Sequence, residues 1–242
     1  MTPRFRSIRG ARMRRPAILL LTVAVGLLSL AGCDPRQMLF FLQPFDPQIK
    51  APGPSLKGKK VVIVTKTVPG TQSDFVSLDR NLTRELTALL RKDIRNLEIV
   101  DVDKVQAWDR AHPSWTDPAD AGAAFDADLV IFLEIAHFQI QSPSSPELFE
   151  GKSNIHVRVV EFAHPKDDRD RPMTDKPKES SVIYDNDRET TFPIRGPVPV
   201  SAGVNAATFK NRFLKIVATE LSWDFVPHAA GDNIQNVKFN DD

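Results

Sequence analysis

Five consecutive residues, Leu129-Val130-Ile131-Phe132-Leu133, are apolar without interruption. Neighbouring side chains of a strand point to opposite faces, so a run with no polar member needs cover on both. The next stretch differs: His137, Gln139 and Gln141 alternate with Phe138 and Ile140, which predicts that one face meets solvent there. A strand over 127–140 that is wrapped at one end and half-open at the other constrains the fold. It asks for a mixed sheet, parallel and covered in its interior and antiparallel towards one edge.

The flanking sequence supplies matching elements. Lys60 to Thr65 is a β-branched run and reads as a buried first strand. Phe75, Leu78, Leu82, Leu86, Leu89, Leu90 and Ile94 recur at helical spacing, predicting a helix over 73–95 capped by Ser73 or Ser77. A second short strand is expected over 97–102, then a helix over 104–111 stopped by Pro113. Another helix follows from Pro118 to Phe125, with Asp117 as its cap. After a Ser/Pro loop at 142–147, Ile155, Val157 and Val159 alternate along 153–162, the return arm of a long hairpin. Residues 164–180 are charged and proline-rich and read as a mobile insertion. A strand over 182–185 and a helix over 201–225 with Phe209, Phe213, Ile216, Val217 and Leu221 inward complete the order β-α-β-α-α-β-β-β-α. The expectation is one α/β (α+β) domain over 59–227. Its mixed sheet of about five strands is packed by two long helices and shorter ones in a two- or three-layer sandwich, and a polar tail follows over 228–242.

The N-terminus sets a second constraint. Six arginines, Arg4 to Arg15, precede an apolar and small-residue run from Pro16 to Leu30 that is shorter than the roughly 20 residues of a membrane span. This pattern is that of a secretory signal over 1–32. Its end, Leu30-Ala31-Gly32-Cys33, resembles the lipobox of bacterial lipoproteins. The resemblance implies cleavage between Gly32 and Cys33, a diacylglycerol on the Cys33 thiol, and a chain tethered to a membrane while facing the periplasm. Asp34 resembles an inner-membrane retention signal, and the outer membrane stays open as the alternative. Cys33 is the only cysteine, so no intramolecular disulfide can form. Without the leader the chain holds 26 basic and 31 acidic residues, a formal charge of −5, which argues against a nucleic-acid partner. Residues 33–58 are rich in proline and read as a flexible tether. Within it the apolar stretch 38–42 could sit at the membrane interface, pack on the domain, or grip a partner through Phe40 and Phe41.

The order of elements over about 59–162, with Asp126-Ala127-Asp128-Leu129 stepping into the central strand and Gly151 opening the next, is similar to the α/β domain shared by the TolB amino-terminal domain, CsgG and LpoB. That resemblance implies a non-enzymatic domain that binds partners or assembles into envelope machines.

Catalytic patterns are weak. Gly53-Pro-Ser-Leu-Lys-Gly58-Lys59-Lys60 nearly fits a phosphate-binding loop, but it lacks the final hydroxyl and precedes its strand. His137 and His156 would face each other if the hairpin turned at 146–147; two imidazoles alone rarely hold a metal, and Arg158 would repel a cation. Glu134 shares parity with Phe138 and Ile140, with Arg158 as its expected partner. Asp185-Asn186-Asp187 resembles the start of a calcium loop but lacks the glycine and final glutamate, and reads as a turn. We therefore expect no catalytic residue, metal or cofactor beyond the lipid on Cys33. The expected function is a binding or assembly module for another envelope protein. Contacts would come from the 142–150 loop (Ser142, Ser144, Ser145, Glu147), the 164–180 segment and Phe40–Phe41. A homo-oligomeric secretion-channel subunit is the first alternative, and a ligand-binding or hydrolytic lipoprotein the second.

Overall fold

A computed structural model describes residues 47–68, 77–167, 169, 171–200, 205–230 and 232. Strand β4 (Leu129–Ser142) lies at the heart of its main sheet, between β2 (Lys60–Thr67) and β5 (Ser145–Ala163). The strand order is β3-β2-β4-β5-β6, where β3 is Glu98–Ile99 and β6 is Glu179–Phe192; β7 (Val198–Pro199) adds onto β5. Strands β3, β2 and β4 run parallel, and β4, β5 and β6 run antiparallel. The mixed sheet is thus as expected, with the small strand β7 as an addition.

Each half of the sheet has its own cover. On one face, helices α1 (Leu78–Asp93) and α4 (Ala206–Ser222) pack Leu82, Leu86, Leu90, Phe213, Ile216 and Val217 onto Val61, Ile63, Ile131, Leu133, Val157 and Val159. On the other, α2 (Val102–Ala111) and α3 (Pro118–Ala124) cover only the parallel end, where Val62, Val64, Val130 and Phe132 meet Val105, Ala121 and Trp115. The domain is therefore three layers deep at its parallel end and two at its hairpin end. This is why 129–133 carries no polar residue and 137–141 alternates.

Local chemistry moves several boundaries. Asp101 accepts from the N–H groups of Asp103 and Lys104 and starts α2 at Val102, which leaves β3 only two residues where 97–102 was expected. Ser77 sits at the cap of α1 in a left-handed conformation and makes no side-chain cap bond; Ser73 and Phe75 lie outside the described residues. Asp117 caps α3 with Pro118 in the first turn, as expected. Asn205 caps α4, and its side chain accepts from the Thr208 N–H at 2.7 Å.

The hairpin departs most from expectation. Ser142 pairs with Ser145, so only Pro143 and Ser144 turn, and Ser145 to Glu147 belong to β5 instead of to a 142–147 loop. A register shift between Ile135 and His137 then swaps the faces. Phe138 and Ile140 join the face of Ile131 and Ile135 in the core, while Glu134 lies on the opposite face across from His156. Strand β6 is also far longer than 182–185, and Asp185-Asn186-Asp187 is strand, not turn.

Two short strands form a separate sheet: β1 (Gln48–Ile49) pairs antiparallel with β8 (His228–Ala229). Behind β1 the Gly53 N–H donates to the Asp224 carbonyl at 2.8 Å, and Leu56 is buried in the core. A Cβ at Gly53 would lie 2.5 Å from that carbonyl oxygen, so only glycine fits this approach. Residues 48–58, placed in the tether by their prolines, thus lie as a strap against the end of α4.

Candidate functional site

The motif Asp126-Ala127-Asp128-Leu129 joins three strands. Asp128 Oδ2 accepts from the Lys60 N–H at 2.9 Å, its own N–H donates to the Lys60 carbonyl, and its carbonyl accepts from Phe162. Lys178, from the end of the 164–178 connection, reaches Asp128 Oδ1 at 3.3 Å and Asp126 Oδ1 at 3.4 Å. Burial works against the charged Asp128, but the Lys60 N–H and the Lys178 ammonium hold its pKa below the usual carboxylate value. The motif locks the strand starts. The 164–178 connection also bonds to itself: Lys166 bridges Pro172, and Arg171 donates to Asp167 at 2.8 Å.

Beyond the cover of α2 and α3, one face of β5 and β6 is polar. His156 stands between two carboxylates, with Nε2 3.1 Å from Asp185 Oδ1 and Nδ1 2.9 Å from Asp187 Oδ1. Arg158 Nε donates to Asp185 Oδ2 at 3.3 Å. Both sequence expectations for this face are corrected. His137 pairs with Asn154, not His156, because the turn lies three residues earlier than assumed, at Pro143 and Ser144, and register shifts between Gln139 and Ser142 take up most of the difference. Arg158 faces Asp185, not Glu134, because β6 supplies a row of acids that a turn would not.

The opposite face of β6 packs a second polar group against α4. Arg188 pairs with the fully buried Asp224, and the Tyr184 hydroxyl donates to Asp224 Oδ1 at 3.0 Å. The Thr190 hydroxyl donates to Glu220. Burial raises the Glu220 pKa above the usual value, against the opposing pull of Thr190 and Arg188. Burial, then the charge of Asp224, raises Tyr184. Asp224 Oδ2 and Arg188 Nε are buried with no partner among the described residues. Beside this group a cleft of about 430 Å³ opens between the strap and β6, walled by Trp223 and His228, whose rings stack at 4.2 Å. Sequence reading missed the whole group. Asn186, Arg188 and Thr190 carry no apolar period, so β6 was cut short, and Asp224 and Glu220 were read only as part of a helix.

The residues singled out for partner contact fall at the hairpin end. The Ser142 hydroxyl is buried, 2.9 Å from Ser144 Oγ, and donates to Glu150 at 2.9 Å. Lys152, then Ser142, holds the Glu150 carboxyl below its usual value. Ser144 and Glu147 are exposed, and Ser145 accepts from the Glu147 N–H at 3.2 Å. Ser145, Glu147 and Leu148 line an open cleft of about 600 Å³ with Pro199 and Val200. Nearby in sequence Ile194 is 70 % exposed. Gly32, Cys33, Asp34, Phe40 and Phe41 lie outside the described residues.

Together these features define an α/β domain with a mixed sheet, an open polar face and a capped hairpin end. No protein-family model matches the chain, and no curated protein matches it in sequence. Among solved structures it is similar to the lipoprotein GNA1162 from Neisseria meningitidis, at 10% identity and a TM-score of 0.40 over 70% of this chain and 99% of that one. It is also similar to the PelC dodecamer from Paraburkholderia phytofirmans, at 9% identity and 0.40 over 74% and 96%. A third is the hypothetical protein CT253 from Chlamydia trachomatis, at 12% and 0.39 over 69% and 96%. Likenesses this low carry no argument about function, which has to come from the chain's own residues.

Proposed function

We propose that this chain is a cell-envelope lipoprotein, lipidated on Cys33, whose α/β domain serves as a non-catalytic binding or assembly module for another envelope protein. The observation that carries the reading is Leu30-Ala31-Gly32-Cys33 at the end of an apolar run behind six arginines. A thioether-linked diacylglycerol and an N-acyl chain would bury CH₂ groups at about 0.8 kcal/mol each, enough for stable anchoring. The periplasmic side would then hold a domain whose polar groups largely pair with one another, and whose exposed apolar residues include Ile194 and Val200 near the hairpin end. Loops and turns on a rigid sheet are common places for partner contacts. Ser144 and Glu147 stay the contact residues of this reading, while buried Ser142 supports the turn.

The test uses the full chain in its own host. Cells fed an alkyne fatty acid should label the native protein and leave Cys33→Ala unlabelled. Cross-linking in membranes, followed by mass spectrometry, should then recover one dominant envelope protein, and Ser144→Arg with Glu147→Arg should weaken that recovery. Label that persists in Cys33→Ala overturns the anchor. Ladders of self-cross-linked chains in place of a partner would favour the homo-oligomeric channel subunit.

A further inference from the structure

Strand β6 ends the main sheet: it pairs with β5 on one side and with no strand on the other among the described residues. The other end of the sheet, β3, is only two residues long. A register shift at Val159/Val160 makes Ile183 an extra residue in β6, and from Tyr184 to Phe192 the register with β5 is unbroken. Nine residues of regular strand, about 30 Å, therefore present an open row of backbone N–H and C=O groups.

Charge on this edge is one-sided. Asp185, Asp187 and Glu189 share the open face of the sheet, with exposed Thr191 next in the row. The Asp187 side chain is 69% exposed. His156 and Arg158 engage the two aspartates from the β5 side only, and Glu189 makes no ion pair among the described residues. A second copy laid edge to edge would set this acidic row against itself, and like charges opposite one another disfavour pairing. A strand with basic residues at alternate positions would instead place them about 5 Å from the acids. The cleft between the strap and β6, with Lys50, Arg188 and Trp223 in its wall, leaves room beside the strand for the docked chain.

We infer that the outer edge of β6 accepts an extended segment of a partner protein as an added strand, with lysine or arginine at alternate positions facing Asp185, Asp187 and Glu189. Main-chain bonds would supply affinity and the acidic row would select the partner. The inference rests on the binding-module reading and gives that module a second surface, apart from the hairpin end.

The probe is a capped peptide of alternating valine and lysine, with its valine–glutamate counterpart as control, added to the full-length protein in a neutral detergent. Residue-resolved amide exchange is the readout. The lysine peptide should slow exchange of the Tyr184–Phe192 amides roughly tenfold, and its affinity should fall as salt shortens the screening length below about 10 Å. The glutamate peptide should do neither. Asp185→Asn, Asp187→Asn and Glu189→Gln together should cost roughly tenfold in affinity. Thr191→Arg, which removes no native pair, should weaken the lysine peptide as well. No slowing on β6, equal slowing by both peptides, or unchanged affinity in both variants overturns the inference. Slowing that grows with protein concentration and needs no peptide also overturns it, in favour of self-pairing. If partner recovery in membranes survives the triple variant, the module reading stands and this edge is removed from it; loss of fatty-acid labelling bears on the anchor alone.

Discussion

Arg188 is a polar side chain whose removal should cost the domain measurable stability. It holds the charge of Asp224, which is fully buried and otherwise accepts from the Tyr184 hydroxyl. Arg188→Leu keeps much of the side-chain volume and leaves that carboxylate without its cation. Breaking a buried pair from one side costs about 3–5 kcal/mol. The Arg188 side chain is 35% exposed, so water can partly replace it and the cost falls below that range, to about 2–3 kcal/mol. At roughly 2–4 °C per kcal/mol for a domain this size, the midpoint should drop by about 4–12 °C. Removing both charges is different. Asp224 Oδ2 and Arg188 Nε already lack partners among the described residues, so the native pair offsets its desolvation incompletely. Arg188→Leu with Asp224→Leu should therefore recover most of the loss. Thermal and urea unfolding of the native chain, both single variants and the double variant would give the coupling energy. A double variant as unstable as the sum of the singles would refute the reasoning and show that the two residues act independently.

Three further outcomes follow from other contacts. Because Glu220 has a folded pKa raised by burial, it adds stability fully below the unfolded value of about 4.3 and loses it as pH rises through the folded value. Glu220→Gln, which can still accept from Thr190, should therefore gain on the native chain between pH 4 and 7 in urea titrations; a constant difference would contradict this. Gly151→Ala would put a Cβ 2.6 Å from the buried Phe213 ring and should cost about 1–3 kcal/mol by calorimetry. Asp128→Ala removes the acceptor of the Lys60 N–H and should cost about 1–2 kcal/mol at neutral pH. Since the Asp128 pKa is lowered, that difference should shrink as pH falls below about 3.9.

Sequence reading did well where burial writes a pattern. Leu129 to Leu133 announced a doubly covered strand, and Asp117-Pro118 announced a helix start, because each rests on one local rule. It failed where geometry depends on pairing. The register shifts along β4 have no signature in composition: missing the one between Ile135 and His137 put Glu134 on the wrong face, and missing those between Gln139 and Ser142, with the earlier turn, put His137 opposite the wrong residue. Strand β6 faces α4 with Tyr184, Asn186, Arg188 and Thr190, a polar row that looks unburied until Glu220 and Asp224 are seen across from it. The strap was read as tether because its prolines exclude regular structure; beyond the two residues of β1 they do, and Leu56 is held by packing, which needs no helix or strand.

The strap also sets how the domain would answer a pull on its N-terminal end. Load entering at Gln48 meets the two residue pairs of β1 and β8 and the bond from Gly53 to Asp224 before it reaches the buried Leu56, the bond from Gly58 to Asn96 and β2. Those first contacts are the weakest links in series, so they would part while the sheet stays whole. Peeling residues 48–58 would pay out up to about 3.5 Å of chain per residue. The strap would then work as a stretch of spare leash, and the Asp224 carboxylate, fully buried at its base, would meet solvent only under tension.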